Sequence, residues 1–198
     1  MASRAVSGVV LAAGPSRRFG DGPPKQLLPF DGEPLVRRMV GRVSQSKLSE
    51  VIVVVGKAAR EVEGSCRGFD VQVIVNPDFE DGQSLSVKLG LAAVDPAADA
   101  AMFVPVDQPE LTIDVLDAIF DCYCRTGGPI VVPCHRGKRG APVLFDRNLF
   151  GELATIEGDA GGRQLFSSHE KDIVELPVAS AAPLRDLDTL EDLQRLRS

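Results

Sequence analysis

Short runs of small and β-branched apolar residues recur along this chain, and they limit what it can fold into more than any other feature. Val6–Ala13, Val51–Val55 and Ala101–Val106 are apolar enough to be strands buried on both faces, and Val71–Val75 reads as a shorter one. Segments with helical spacing separate them. Pro34 opens one in which Leu35, Val36, Met39, Val40 and Val43 share a side, and Ala58–Cys66 and Ser84–Val94 are the next two. This order predicts an α/β fold: an open, mostly parallel twisted sheet with helices on both faces.

Downstream the alternation loses its regularity. Thr112 is placed to cap a helix running to about Arg125, and Ile130–Pro133 and Pro142–Phe145 read as short strands around the polar turn His135–Gly140. A helix near Gly162–Ser168, a strand at Ile173–Pro177 and a last helix from Thr189 complete the chain. With 198 residues and no internal repeat, the expectation is a single domain over residues 1–198.

Composition excludes several functions. A net charge of −6 argues against nucleic acid as a partner, since binding a polyanion along its length needs a basic surface. No apolar run approaches the roughly 20 residues of a spanning helix, and Met1–Ser7 lacks the features of an export signal, so no membrane role and a cytoplasmic location are expected. Cys66, Cys122, Cys124 and Cys134 show no zinc-site or disulfide pattern and read as reduced, packed thiols. His135 and His169 have no partnering serine or cysteine motif, which argues against a hydrolytic triad. Basic residues cluster early, at Arg17, Arg18, Lys25, Arg37 and Arg38; that suits a pocket for a small polyanion or, equally, a solvated positive face.

In open α/β sheets ligands bind beyond the carboxyl ends of the strands. The stretches to inspect are therefore Gly14–Lys25 and Asp107–Pro109. The first has small residues where backbone amides can approach a phosphate, followed by two arginines and a lysine. It is neither a P-loop, because no Gly-Lys-Ser/Thr follows, nor the dinucleotide fingerprint G-x-G-x-x-G. Taken alone it could be a structural turn.

The wider pattern is more specific. Leu11-Ala12-Ala13-Gly14-x-Ser16-x-Arg18-Phe19-Gly20, then Lys25-Gln26-Leu27-Leu28-Pro29-Phe30 and Gly32-x-Pro34-Leu35, resembles the signature of nucleotidyltransferases acting on sugar phosphates, methylerythritol phosphate and molybdopterin, with Phe19 where they usually have Met. Gly82-Gln83-Ser84-x-Ser86, Asp107-Gln108-Pro109, Arg139-Gly140-x-Pro142, Gly158-Asp159-x-Gly161-x-Arg163 and Asp186-x-Asp188-Thr189 extend it over nearly the whole chain. The set is similar to the molybdenum cofactor cytidylyltransferase branch, related to molybdopterin guanylyltransferase and methylerythritol phosphate cytidylyltransferase. It implies a Rossmann-like fold of the nucleotide-diphospho-sugar transferase type.

The resemblance implies roles for particular residues. Leu11, Ala12, Ala13, Gly14, Ser16, Arg18, Lys25, Gly82, Gln83 and Ser84 bind the nucleotide, and Arg18, Lys25 and Asp107 are catalytic. Arg139, Gly140, Asp159, Gly161 and Arg163 are candidates for the acceptor. The chemistry fits: attack of one phosphate on another gathers negative charge, so neutralisation and in-line positioning matter more than a protein nucleophile. Mg2+ takes hard oxygen ligands and keeps several waters, so the carboxylates of Asp107 and Asp188 suffice to hold it, with Asp186 in reserve. The plainer readings are helix caps at Ser84, Asp107 and Asp188.

The activity so implied is Mg2+-dependent transfer of CMP from CTP to molybdopterin or its molybdenum-loaded form, releasing pyrophosphate, with a molybdoenzyme receiving the product. CTP is preferred over GTP on Ala13, where guanylyl-transferring relatives usually carry a second glycine. Alternatives are a sugar or polyol phosphate acceptor, and a non-catalytic nucleotide-binding or redox relative.

Overall fold

The structure, a computed structural model, describes residues 4–16, 22–189, 191, 192 and 195. Strand β1 (Val6–Ala12) is followed, after the glycine-rich loop, by a two-residue hairpin of β2 (Pro29–Phe30) and β3 (Glu33–Pro34). Helix α1 (Leu35–Gln45), β4 (Glu50–Val55), α2 (Ala59–Ser65), β5 (Gln72–Val75), α3 (Gln83–Ala92) and β6 (Ala100–Pro105) then alternate as the sequence predicts. Helix α4 (Ile113–Thr126) leads to β7 (Ile130–His135), β8 (Lys138–Arg139), β9 (Val143–Asp146), the short α5 (Phe150–Leu153) and β10 (Ile173–Pro177).

The sheet runs β10-β7-β9-β6-β1-β4-β5, with β8 paired to β7. Pairs β1–β4, β1–β6, β4–β5 and β7–β10 are parallel, and β9 runs antiparallel to both β6 and β7. The irregular region of the sequence is this antiparallel insertion. The α4 crossover carries β7 past one strand position, and the short return through β8 fills the gap with β9, since too few residues join them for a parallel crossover.

Side chains divide between the faces with period two. Val6, Val10, Val53, Val55, Met102 and Val104 pack with α1, α2 and α4, while Val9, Ile52, Val54, Ala101 and Phe103 pack with α3 and α5. The Thr112 hydroxyl caps α4 by accepting from the Val115 amide, as expected. Three expectations change. The segment near Gly162–Ser168 is a 3-10 stretch, Gly161–Phe166, rather than an α-helix. Ser84 does not cap α3; Gly82 precedes that helix, with no side-chain cap. The last helix, expected from Thr189, begins beyond it, since Thr189 lies in a bend; Glu191, Asp192 and Arg195 are helical, and positions 190, 193, 194 and 196–198 lie outside the described residues. Among the described residues no helix is long and apolar enough to cross a membrane. Cys66, Cys122 and Cys134 are buried thiols and Cys124 is exposed, none of them in a disulfide.

Switch-point geometry follows from this order. From β1 the chain winds outward through β4 and β5, with α1 and α2 on one face; α3 then crosses on the other face and delivers β6 to the opposite side of β1. The carboxyl ends of β1 and β6 therefore flank the crevice in which α/β sheets bind ligands. Helix α3 is seated very close to β1: a Cβ on Gly90 would lie 2.4 Å from Val9 Cγ1. Gly90→Ala gains about 1 kcal/mol in helix propensity, but the overlap with a β-branched core side chain costs about 1–3 kcal/mol. A net loss of about 1 kcal/mol is expected in denaturant unfolding.

Candidate functional site

The glycine-rich loop is stapled at its two described ends. Ser16, held in the left-handed region at φ 56°, accepts a hydrogen bond from the Lys25 amide at 2.9 Å and donates to Gln26 Oε1 at 3.2 Å. Gln26, 1% exposed, returns its Nε2 to the Gly14 carbonyl at 2.8 Å. These bonds fix where Lys25 leaves the backbone. Its Nζ lies 2.6 Å from Asp107 Oδ2 and 3.9 Å from Asp188 Oδ1.

Asp107 follows the end of β6 after one intervening residue, whereas Asp188 comes from a C-terminal strap laid across the strand ends. The strap is held by the buried Leu187 side chain, by the Leu187 amide donating to the Asp107 carbonyl at 2.7 Å, and by Gln108 Nε2 donating to Asp186 Oδ1 at 2.9 Å. Burial and then repulsion from Asp107 push the Asp186 carboxyl up, against the opposing effect of the Gln108 hydrogen bond. Thr189 and Asp192 form a reciprocal capping pair, in which Thr189 Oγ1 accepts from the Asp192 amide and Asp192 Oδ2 accepts from the Thr189 amide.

Two adjoining cavities open here. The first, about 310 Å³, is lined by Leu11, Ala13, Gly14, Lys25, Gln26, Phe79, Glu80, Gly82, Gln83, Ser86 and Asp107 among others. The second, about 410 Å³, has an apolar floor of Leu11, Val87, Phe103, Val143 and Phe145, with Asp159, Arg163 and Asp186 at its edge. Asp107, Gln83 and Asp159 border both. The wall between them is built by close approach: Gly82, at φ +116°, would place a Cβ 2.7 Å from the Gly158 carbonyl oxygen, and a Cβ on Gly161 would meet Gln83 Oε1 at 2.7 Å.

Several residues singled out in the sequence thus converge: Leu11, Ala13, Gly14, Lys25, Gly82, Gln83, Asp107, Asp159 and Arg163 line the two cavities, and Asp188 reaches Lys25. Others do not face them. Ala12 is buried in the core on the opposite face, Ser16 serves the loop staple, and Ser84 donates its hydroxyl to the Gly158 carbonyl at 2.6 Å. Arg139 pairs with Glu170 and Glu175 and, with Gly140, lines a third cavity that also includes Asp186 and Asp188. Of the early basic cluster, Arg37 and Arg38 are engaged away from Lys25. Arg37 donates to the Ser65 and Arg67 carbonyls, and Arg38 pairs with Asp31 and Glu33. Arg17, Arg18, Phe19 and Gly20 lie outside the described residues.

Gln26, Phe79, Glu80 and Ser86 are lining residues that sequence reasoning missed. Gln26 had a usable signal, a polar residue within the Lys25–Phe30 motif. Phe79 and Glu80 lie in a short 3-10 turn, Phe79–Asp81, with none. His135 and His169 take no part in the first two cavities; His135 Nδ1 contacts the Val178 carbonyl.

Fold and switch-point cavities together define the class of protein, a nucleotidyltransferase. Residues 8–173 match the family model of the MobA-like NTP transferase domain, and the chain belongs to that family. It is 30% identical to nicotine blue oxidoreductase of Paenarthrobacter nicotinovorans, over 96% of both chains. It is 28% identical to the molybdenum cofactor cytidylyltransferase of Escherichia coli K12, over 95% of this chain and 93% of that one. The crystal structure of Rv0371c from Mycobacterium tuberculosis H37Rv superposes with a TM-score of 0.87 at 34% identity, covering 99% of this chain and 98% of that one. A second structure of Rv0371c, at 32% identity and TM-score 0.82 over 97% of both chains, is a complex with manganese.

The loop carrying Asp159 and Arg163 is tied down from outside. His169 Nε2 lies 2.8 Å from Glu152 Oε2 and Nδ1 lies 3.5 Å from Asp172 Oδ2. The hydrogen bond with Glu152 is the main cause of a histidine pKa raised above its ordinary value of about 6.5. A raised pKa means that this pair's stabilisation is complete below about pH 6.5 and is lost as pH rises through the folded-state value. Compared with His169→Gln in denaturant unfolding, the unaltered protein is expected to hold its largest advantage at acid pH and to lose it on going alkaline.

Proposed function

We propose that the protein transfers CMP from CTP to a phosphorylated acceptor of the molybdopterin type, with release of pyrophosphate and dependence on Mg2+. The observation that carries this reading is Lys25 set against Asp107 and Asp188 at the switch point. An ammonium already sits against both carboxylates, so the position is suited to positive charge. Among the described residues of the first cavity Lys25 stands with Glu80, Asp107 and Asp159, three carboxylates that attract a cation.

The donor set fits a hard divalent ion. Among the described residues no three His, Cys, Asp or Glu side chains form a metal cage, but Mg2+ is commonly held by one or two carboxylates together with substrate phosphates and water. Asp107 and Asp188 would hold it, and when bound it supplies neutralisation of the phosphate oxygens. In this reading Leu11, Ala13 and Gly14 let the nucleotide lie close to the strand ends, with Gly82 and Gln83 beside the base. Lys25 turns from Asp107 to the triphosphate, and Arg18 adds a second positive charge.

An acceptor phosphate oxygen attacks the α-phosphorus; a new P–O bond forms, the bond to the bridging oxygen of the β-phosphate breaks, and pyrophosphate leaves. Geometry and charge do the work. The apolar floor of the second cavity suits the ring system of a pterin better than a polyhydroxylated sugar, whose hydroxyls need polar partners. Asp159, Gly161 and Arg163 border that floor, and Arg139 and Gly140 belong to its outer end. A cytoplasmic setting and onward delivery to a molybdoenzyme complete the reading, with residues 1–198 acting as one domain.

Similarity to nicotine blue oxidoreductase over 96% of both chains supports a second reading, a redox role in the same cavities. One assay separates the two: pyrophosphate release with each of the four nucleoside triphosphates, with and without molybdopterin and Mg2+. Release dependent on CTP, Mg2+ and molybdopterin is expected; no release under any combination would overturn the proposal. Asp107→Ala is expected to abolish turnover while the protein remains folded. Lys25→Ala should lower kcat/KM by about 2–4 kcal/mol of transition-state stabilisation, the usual loss on removing one preorganised electrostatic donor.

A further inference from the structure

Gln108 stands beside Asp107, is 1% exposed, and has no role in either cavity. Its Nε2 donates to Asp186 Oδ1 at 2.9 Å and approaches the Leu184 carbonyl at 3.4 Å, so one amide group grips both sides of the strap that presents Asp188. Its Oε1 is buried with no hydrogen-bond partner among the described residues. Leaving a buried acceptor unpaired is unfavourable, and an apolar side chain of the same length would fill the space without that penalty. Packing therefore does not account for an amide here, whereas the donor does. A neutral donor is also what the place requires. A lysine or arginine would neutralise the carboxylates facing Lys25, and a glutamate would repel them.

We infer that Gln108 is a positioning residue, which holds the Asp186–Asp188 strap against the end of β6 and so sets the spacing of the Asp107 and Asp188 carboxylates that receive a divalent cation. This rests on the proposed metal role of those two aspartates. A buried amide acting through the strap stands to the carboxylates as outer hydrogen-bond partners stand to metal ligands, where loss commonly weakens binding by about 10–100-fold.

The test is binding of Mn2+ to the full chain, followed by electron paramagnetic resonance of the free ion, with thermal unfolding measured in parallel. Gln108→Met keeps the length and removes the donor; it should bind Mn2+ at least about tenfold more weakly, with an unfolding temperature lowered by no more than the roughly 10 °C that loss of one hydrogen bond to a charged group explains. Gln108→Asn, too short to reach the strap, should behave alike and serves if the Met variant does not fold. Unchanged Mn2+ affinity in these variants, with or without a lower unfolding temperature, would overturn the inference and leave Gln108 a packing residue. Asp107→Asn and Asp188→Asn separate the two levels. If neither weakens Mn2+ binding, or the unaltered protein binds none, the metal reading itself fails.

Discussion

Strand β1 is bonded on both edges, to β4 and β6, and covered on both faces, and the rest of the structure depends on that confinement. Val6, Val9, Val10 and Ala12 are wholly shielded from solvent. A strand so enclosed cannot be reached by a short hairpin from a parallel neighbour, so each partner arrives by a crossover. Because β4 and β6 lie on opposite sides, the crossovers leave on opposite faces and the chain opens at the carboxyl ends between them. Both the glycine-rich loop and the Asp107 turn emerge at that opening.

Among the described residues the opening carries more acidic than basic side chains. Lys25 holds one aspartate closely and a second more loosely, and Asp159 and Asp186 stand near, with Arg163 the basic residue described beside them in the second cavity. Such an arrangement is costly to keep dry and attracts cations. The strap contributes the remainder. It comes from the end of the chain, yet it is seated by a core leucine and by the Asp107 carbonyl, so an acidic group distant in sequence becomes part of the same charge cluster.

Relatives of this chain carry different activities in their names, a cytidylyltransferase at 28% identity and an oxidoreductase at 30%. A shared sheet does not require shared chemistry, because the sheet supplies only the crevice while side chains around it decide what is bound and transformed. In this chain the lysine and aspartates at the strand ends and an apolar floor beside them line that crevice.

How much of this was legible in the sequence differs by level. The parallel strands and their helices were readable because burial on both faces leaves an uninterrupted apolar run, as in Val51–Val55, and because Pro34 and Thr112 mark helix starts by local chemistry. Lys25, Asp107 and the glycine-rich loop were readable because strand ends are where such sheets bind ligands. The antiparallel place of β9, the dispersal of Arg37 and Arg38, the separate engagement of Arg139 and the strap held by Gln108 were not. Each depends on which distant segment supplies a partner: a carbonyl at Ser65 for Arg37, a carboxylate at Glu170 for Arg139, an aspartate at position 186 for Gln108. The sequence by itself determined the local conformations and the strand-end chemistry, which depend on neighbours along the chain; only the tertiary structure decided which charges meet and which hydrogen bonds close, because those contacts depend on distances set by the packed sheet.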